Sequence, residues 1–142
     1  MAMSVFEELG LRRIVNAAGK LTVLGASVIS DETAAAMVEA GQHFVDLAEL
    51  MRAADRLIAQ ATSAEAGFIT SCAAAGISIS TAACLTRGDL ARTESLPFLA
   101  SPPDEILIQR GHSIHFGGSI LQMMALTGAK VIEIGATNRT LP

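Results

Sequence analysis

Residues 66–86, AGFITSCAAAGISISTAACLT, decide how this chain folds. Ala66 to Thr70 is a short apolar run bounded by small residues, and it predicts a buried strand. Ala73 to Thr86 predicts a helix built from small residues, with Ile77, Ile79 and Leu85 as its larger apolar members. The join Thr70-Ser71-Cys72-Ala73-Ala74-Ala75-Gly76 takes a strand into a helix with little side-chain bulk. Such a join exposes backbone N–H groups at the helix start, where the helix dipole and a nearby hydroxyl such as Ser71 favour a phosphate. Composition leaves equal room for a helix that needs Ala and Gly merely to pack closely on a sheet. GxGxxG and GxxxxGK[ST] are both missing, so nucleotide-binding fingerprints fail.

Working outward, Asp104 to Gln109 (DEILIQ) and Lys130 to Ile134 (KVIEI) predict two more strands, with a helix over 113–127 between them. From residue 66 the order is strand, helix, strand, helix, strand. That order predicts parallel strands with right-handed crossovers. Residues 87–103, holding three of the four prolines, read as one long loop. Upstream, Asp46 opens a helix in which Leu47, Leu50, Met51, Ala54, Leu57, Ile58 and Ala61 keep helical spacing. Ser30, with Asp31 and Glu32 after it, caps a helix over 31–44 with Met37 and Val38 inward. His43 suits the negative end of that helix as a cap. Residues 4–29 read as an irregular arm punctuated by Gly10, Gly19 and Gly25. The expected division is 1–45 for arm and first helix and 46–142 for the start of a larger domain. Three strands alone would leave long apolar edges unpaired, which predicts a larger natural unit.

The bulk numbers agree with a folded α/β chain. Of 142 residues 51% are hydrophobic and 17% charged, which excludes a disordered chain. The net charge of −4 argues against nucleic-acid binding, which depends on clustered Lys and Arg. No apolar run of about 18 residues occurs, so no membrane span is expected, and Met1 to Gly10 lacks the features of a signal peptide. Two cysteines without metal spacing, Cys72 and Cys84, fit a reducing cytoplasm.

A second chemical candidate is Gln109 to Gly118, QRGHSIHFGG, at the end of a predicted strand. His112 there could stack on a flat cofactor or move a proton, and Arg110 stands beside it. His115 reads as a surface histidine, and no third ligand makes a metal pair of the two. A third is the arm, where Asn16, Gly19 and Leu24 to Ser27 suggest a loop lining a cleft or a simple tether. Cys72 as a nucleophile has no partner histidine placed by the sequence. Lys130 begins a strand and reads as solvated.

Four segments in order carry a resemblance: LGLRRIVNAAGKLTVLG (9–25), AEAGFITSCAAAG (64–76), DEILIQRGH (104–112) and AKVIEIGATNRT (129–140). Together they resemble the start of the selenocysteine synthase-like group of fold-type-I pyridoxal-phosphate (PLP) enzymes. That group includes seryl-tRNA selenium transferase and the ammonia lyase acting on D-glucosaminate 6-phosphate. The resemblance implies the N-terminal arm, helices and first strands of a three-layer α/β/α PLP-binding domain, incomplete here. It implies Ser71, Cys72 and Ala73 at the cofactor phosphate and His112, or Ser113, against the pyridine ring. It implies Asn16, Gly19, Gly25 and Ser27 at the entrance, contributed within a homo-oligomer whose active site lies at the subunit interface. Arg110 and Arg139 become candidates for a substrate anion. The Schiff-base lysine is expected beyond TNRT, because Lys20 and Lys130 match neither family position. The chain alone is therefore expected to be an inactive fragment, with no catalytic residue of its own. By the resemblance, no tRNA-binding extension is expected ahead of FEELGLRR. With the acidic charge, that favours a lyase or transferase on an amino acid or amino-sugar acid. Selenium transfer to seryl-tRNA and a non-catalytic phosphate-binding module remain the alternatives.

Overall fold

The structure is a computed structural model, and it describes residues 4–136. The chain divides into two units between His43 and Phe44.

In the first unit, helix α1 (Val5–Glu8) is a single turn closed by a capping box between Ser4 and Glu7. A one-turn 3-10 helix, Thr22–Leu24, ends on Gly25 at φ 82°. A side chain at that φ would be strained, which is the reason for glycine. Leu21 and Ala26 bridge around this turn. Helix α2 (Asp31–Ala40) starts on Ser30, whose hydroxyl accepts from the Thr33 amide. It ends at Gly41, shorter than expected, and His43 Nδ1 bonds back to Glu39 O at 2.9 Å. Met37 and Val38, expected inward, are both exposed. No residue of the unit's described helices is buried.

The second unit opens with α3 (Leu47–Thr62), capped by Asp46 accepting from the Glu49 amide at 2.8 Å. The following run, 66–70, belongs to no strand, which corrects the expected buried strand. Phe68 and Ile69 are exposed. Apolar content gives such a run β preference, but a strand needs a neighbour to take its N–H and C=O groups, and no described segment lies alongside. The run leans instead on α3. The Gly67 amide donates to Asp55 Oδ1. A Cβ on Gly67 would stand 2.5 Å from Ile58 Cβ, so nothing larger fits.

Helix α4 (Ala73–Thr86) has the bounds the sequence predicted. Within the expected loop, Asp89 caps a further helix, α5 (Leu90–Ser95). Arg92 then reaches out of α5. Its guanidinium donates to the carbonyls of Leu85, Ser101 and Pro103 at 3.0–3.2 Å, drawing the proline loop onto α4. That loop delivers strand β1 (Glu105–Gln109). A 3-10 turn (Arg110–His112) follows, and then helix α6 (Ile120–Ala125), capped by Ser119. The helix expected over 113–127 is cut short because Gly117 and Gly118 disfavour helix and Ser119 starts it anew. Strand β2 (Lys130–Ile134) runs parallel to β1, with Glu105 opposite Lys130 and Gln109 opposite Ile134. The outcome is an α/β arrangement with a two-stranded parallel sheet.

The core lies where α4, β1 and the entry to β2 meet: Leu85, Ile108 and Ala129, with Thr81, Thr86 and Thr127. The buried Thr81 and Thr127 hydroxyls bond to the carbonyls of Ile77 and Met124, as burial requires. Ser78 Oγ donates to Met123 O at 2.7 Å and fastens α6 to α4.

Candidate functional site

The first turn of interest ends the run at Thr70. Thr70 Oγ1 donates to Cys72 O at 2.9 Å, which sets the bend. Cys72 is the N-cap of α4 and makes no side-chain cap hydrogen bond, unlike Ser30, Asp46, Asp89 and Ser119 on their helices. The first amides of α4 therefore have no capping side chain in hydrogen-bond geometry. The Cys72 thiol is held below its ordinary value, first by the Ala75 amide, then by the Ser71 side chain, with the Ala74 amide adding less. A set of donors that favours a thiolate favours a phosphate oxygen in the same place. Ser71, Cys72 and Ala73 are all exposed. Beside them an apolar cavity of about 430 Å³ is lined by Ala73, Gly76, Ile77, Thr81, Ile106 and Met124.

The second turn lies at the carboxyl end of β1, where ligands of open α/β sheets bind. Arg110 and His112 share its single 3-10 turn, and His112 is exposed. Its backbone is tied by Ser113 N to Arg110 O (3.2 Å) and Ile114 N to His112 O (2.9 Å). Glu133 of β2, which the sequence did not single out, bonds to both ends of this turn. Ser113 Oγ donates to Glu133 Oε1 at 2.5 Å, and Arg110 Nε stands 3.5 Å from Glu133 Oε2. A strand glutamate twenty residues downstream carries no local signal of that contact.

In the first unit, Asn16 folds onto its own turn. Its amide group bonds Gly19 O, and its Oδ1 accepts from the Ala18 amide at 2.9 Å. Asn16 and Ser27 line a cavity of about 710 Å³ with apolar walls, and Arg12 and Arg13 line it too. Those arginines were not among the sequence candidates. Arg139 lies outside the described residues. Lys130 sits at the amino end of β2, where its ammonium holds Asp104 Oδ2 at 2.7 Å. The Asp104 hydrogen bond and then its charge raise the lysine's pKa, which keeps it protonated. Among the described residues no three metal-ligating side chains cluster, and no helix is long and apolar enough to cross a membrane.

Two parallel strands joined through a helix, with an uncapped helix start and a histidine turn at a strand's carboxyl end, define part of an α/β domain. No family model matches the chain. The chain is nevertheless homologous over nearly its whole length to part of the ammonia lyase and selenium transferase group. It is 36% identical to D-glucosaminate-6-phosphate ammonia lyase of Salmonella typhimurium over 97% of its length and 37% of that protein's. It is 40% identical to 5'-C-glycyluridine monooxygenase-decarboxylase of a Streptomyces species, over 95% of the chain and 34% of that protein. It is 32% identical to L-seryl-tRNA(Sec) selenium transferase of Desulfomicrobium baculatum, over 91% of the chain and 27% of that protein. A solved D-glucosaminate-6-phosphate ammonia-lyase superposes at a TM-score of 0.92 with 35% identity, over 99% of this chain and 38% of that one. The chain thus spans about a third of the length of the relatives it matches, consistent with an N-terminal portion.

Proposed function

We propose that this chain is the phosphate-holding portion of a PLP-dependent lyase or transferase acting on an amino acid or amino-sugar acid. The observation that carries the reading is the start of α4, where the N-cap Cys72 makes no side-chain cap hydrogen bond and Ser71, Cys72 and Ala73 are exposed. The Ser71 hydroxyl and the amides of Ala73 to Ala75 would hold the cofactor phosphate by charge-assisted hydrogen bonds. His112 would lie against the pyridine ring, and Arg110 would meet a substrate carboxylate. Bound PLP supplies an electron sink for negative charge beside the substrate's amino group. Lys130 is not assigned to the cofactor in this reading, because it pairs with Asp104 at the amino end of its strand, whereas ligands of open α/β sheets sit at the carboxyl ends. The names of the relatives support the substrate class: glucosaminate, glycyl and seryl units each carry an amino group beside a carboxyl carbon. In this reading Asn16, Gly19, Gly25 and Ser27 line the entrance within a homo-oligomer.

The test is equilibrium binding of PLP and of pyridoxal, which lacks the phosphate, to the purified chain, followed by absorbance. PLP should bind about tenfold or more tightly than pyridoxal, and inorganic phosphate should compete. Equal binding of the two, or none, would end the proposal. The rival reading is selenium transfer to seryl-tRNA, favoured by the 32% identity to that enzyme. It requires tRNA binding that weakens steeply with salt, and the net charge of −4 opposes it.

A further inference from the structure

We propose that Glu133 is a positioning residue, whose carboxylate clamps the Arg110–Ser113 turn to β2 and thereby fixes where His112 stands. The inference deepens the cofactor reading above and rests on it for the purpose of the clamp.

Glu133 lies near the carboxyl end of β2, opposite the buried Ile108 of β1. Its side chain is 30% exposed. A carboxylate so far withdrawn from water needs partners for both oxygens. It has one for each. Oε1 takes the Ser113 hydroxyl, and Oε2 faces the Arg110 guanidinium. These two residues begin and end the turn, and His112 lies between them. The turn has little else to hold it. No side chain caps it, and residues 113–119 run irregularly until Ser119 starts α6. Two backbone hydrogen bonds alone leave a 3-10 turn free to fray. The Glu133 bonds span twenty residues and convert the turn into an extension of the sheet. Arg110 is engaged through Nε, so its terminal nitrogens are not the atoms that meet Glu133. One guanidinium can thus be oriented by Glu133 and still offer its outer edge to a carboxylate.

The other ion pair of this strand makes the contrast. Lys130 and Asp104 join the strands' amino ends, at the opposite end of the sheet from the Arg110–Ser113 turn, and the lysine side chain is 66% exposed. That pair fastens an entry, whereas Glu133 fastens a turn carrying a candidate ligand-facing residue.

Hydrogen exchange and cofactor binding on Glu133→Ala and Glu133→Gln test the proposal. In Glu133→Ala the Ser113 and Ile114 amides should exchange about tenfold faster, while the β1–β2 amides keep their rates. Glu133→Gln retains an acceptor for Ser113 and should show a smaller increase, about threefold. In a Ser113→Ala background the two variants should differ less than in the parent, because the shared hydrogen bond is already gone. PLP affinity should fall about tenfold in Glu133→Ala while the affinity for inorganic phosphate stays level, because the phosphate turn is untouched. Unchanged exchange at Ser113 and Ile114, or faster exchange spread evenly through the sheet, overturns the clamp. Equal losses for PLP and phosphate overturn the positioning role. A parent chain that does not bind PLP removes the cofactor reading and the clamp's purpose, and the exchange pattern still decides whether the clamp exists. Should Glu133→Ala fail to fold, Glu133→Gln and Ser113→Ala carry the same comparison.

Discussion

The two turns of the second unit are opposites in construction. At Ser71–Ala73 the backbone does the work: the helix start is uncapped and its residues are exposed. At Arg110–Ser113 side chains do the work: Glu133 reaches across from the next strand and closes on both ends. An open turn suits an anion of any shape, because amides recognise charge and not outline. A clamped turn suits a ligand whose ring must be met at one angle. PLP has both an anionic tail and a flat ring, and in the proposed function the two turns would divide those tasks.

The largest disturbance to this division should come from Gly128. It enters β2 at φ 86°, and a Cβ there would stand 1.8 Å from Pro97 O. Gly128→Ala combines left-handed strain with a backbone clash and should cost roughly 3–5 kcal/mol in urea denaturation. The clamped turn, which depends on β2, should be the first region to lose exchange protection. A loss below about 1 kcal/mol would mean that Pro97 yields, and that the strand's entry is not fixed as described.

Ala73→Pro sharpens the comparison from the other side. Proline is tolerated at the first position of a helix, and Cys72 before it is already extended (φ −165°, ψ 168°). The substitution should leave stability nearly unchanged while deleting one amide donor. Phosphate and PLP affinity should both fall about tenfold by titration. Unchanged affinity would show that the Ala73 amide does not face the anion.

The smallest effect is expected at Cys72. A pKa below the ordinary 9.0 means that the thiol ionises at lower pH than a free cysteine. Its alkylation by iodoacetamide should therefore rise with a midpoint below that pH, and at neutral pH it should outpace a model thiol severalfold. Inorganic phosphate should slow it. A midpoint at or above the ordinary value would remove the sign of an electropositive turn.

What the sequence revealed follows the range of the forces involved. The bounds of α4, the start of α3 at Asp46 and the span of β2 were legible, because each rests on near neighbours: a cap, a periodic face, a β-rich run. The run at 66–70 misled for the same reason. Its apolar residues favour a strand, but pairing is supplied from elsewhere. Helix α5 had a readable start in Asp89 that the surrounding prolines obscured. The position of Ser71 and Cys72 at a helix start was legible as a join between elements. The grip of Arg92 on Ser101 and Pro103, and of Glu133 on Arg110 and Ser113, was not, because side-chain partners ten or twenty residues apart leave no periodic trace.

The sparse core has a calorimetric consequence. Hydration of newly exposed apolar surface dominates the heat-capacity change of unfolding. Among the described residues, Leu85, Ile108 and Ala129 are the apolar side chains with more than nine-tenths of their surface hidden. The chain's increment should accordingly fall well below the roughly 1.7–2.1 kcal/mol/K of a well-packed domain of this length. Its stability then varies more nearly linearly with temperature, with less of the curvature that gives most proteins a temperature of greatest stability.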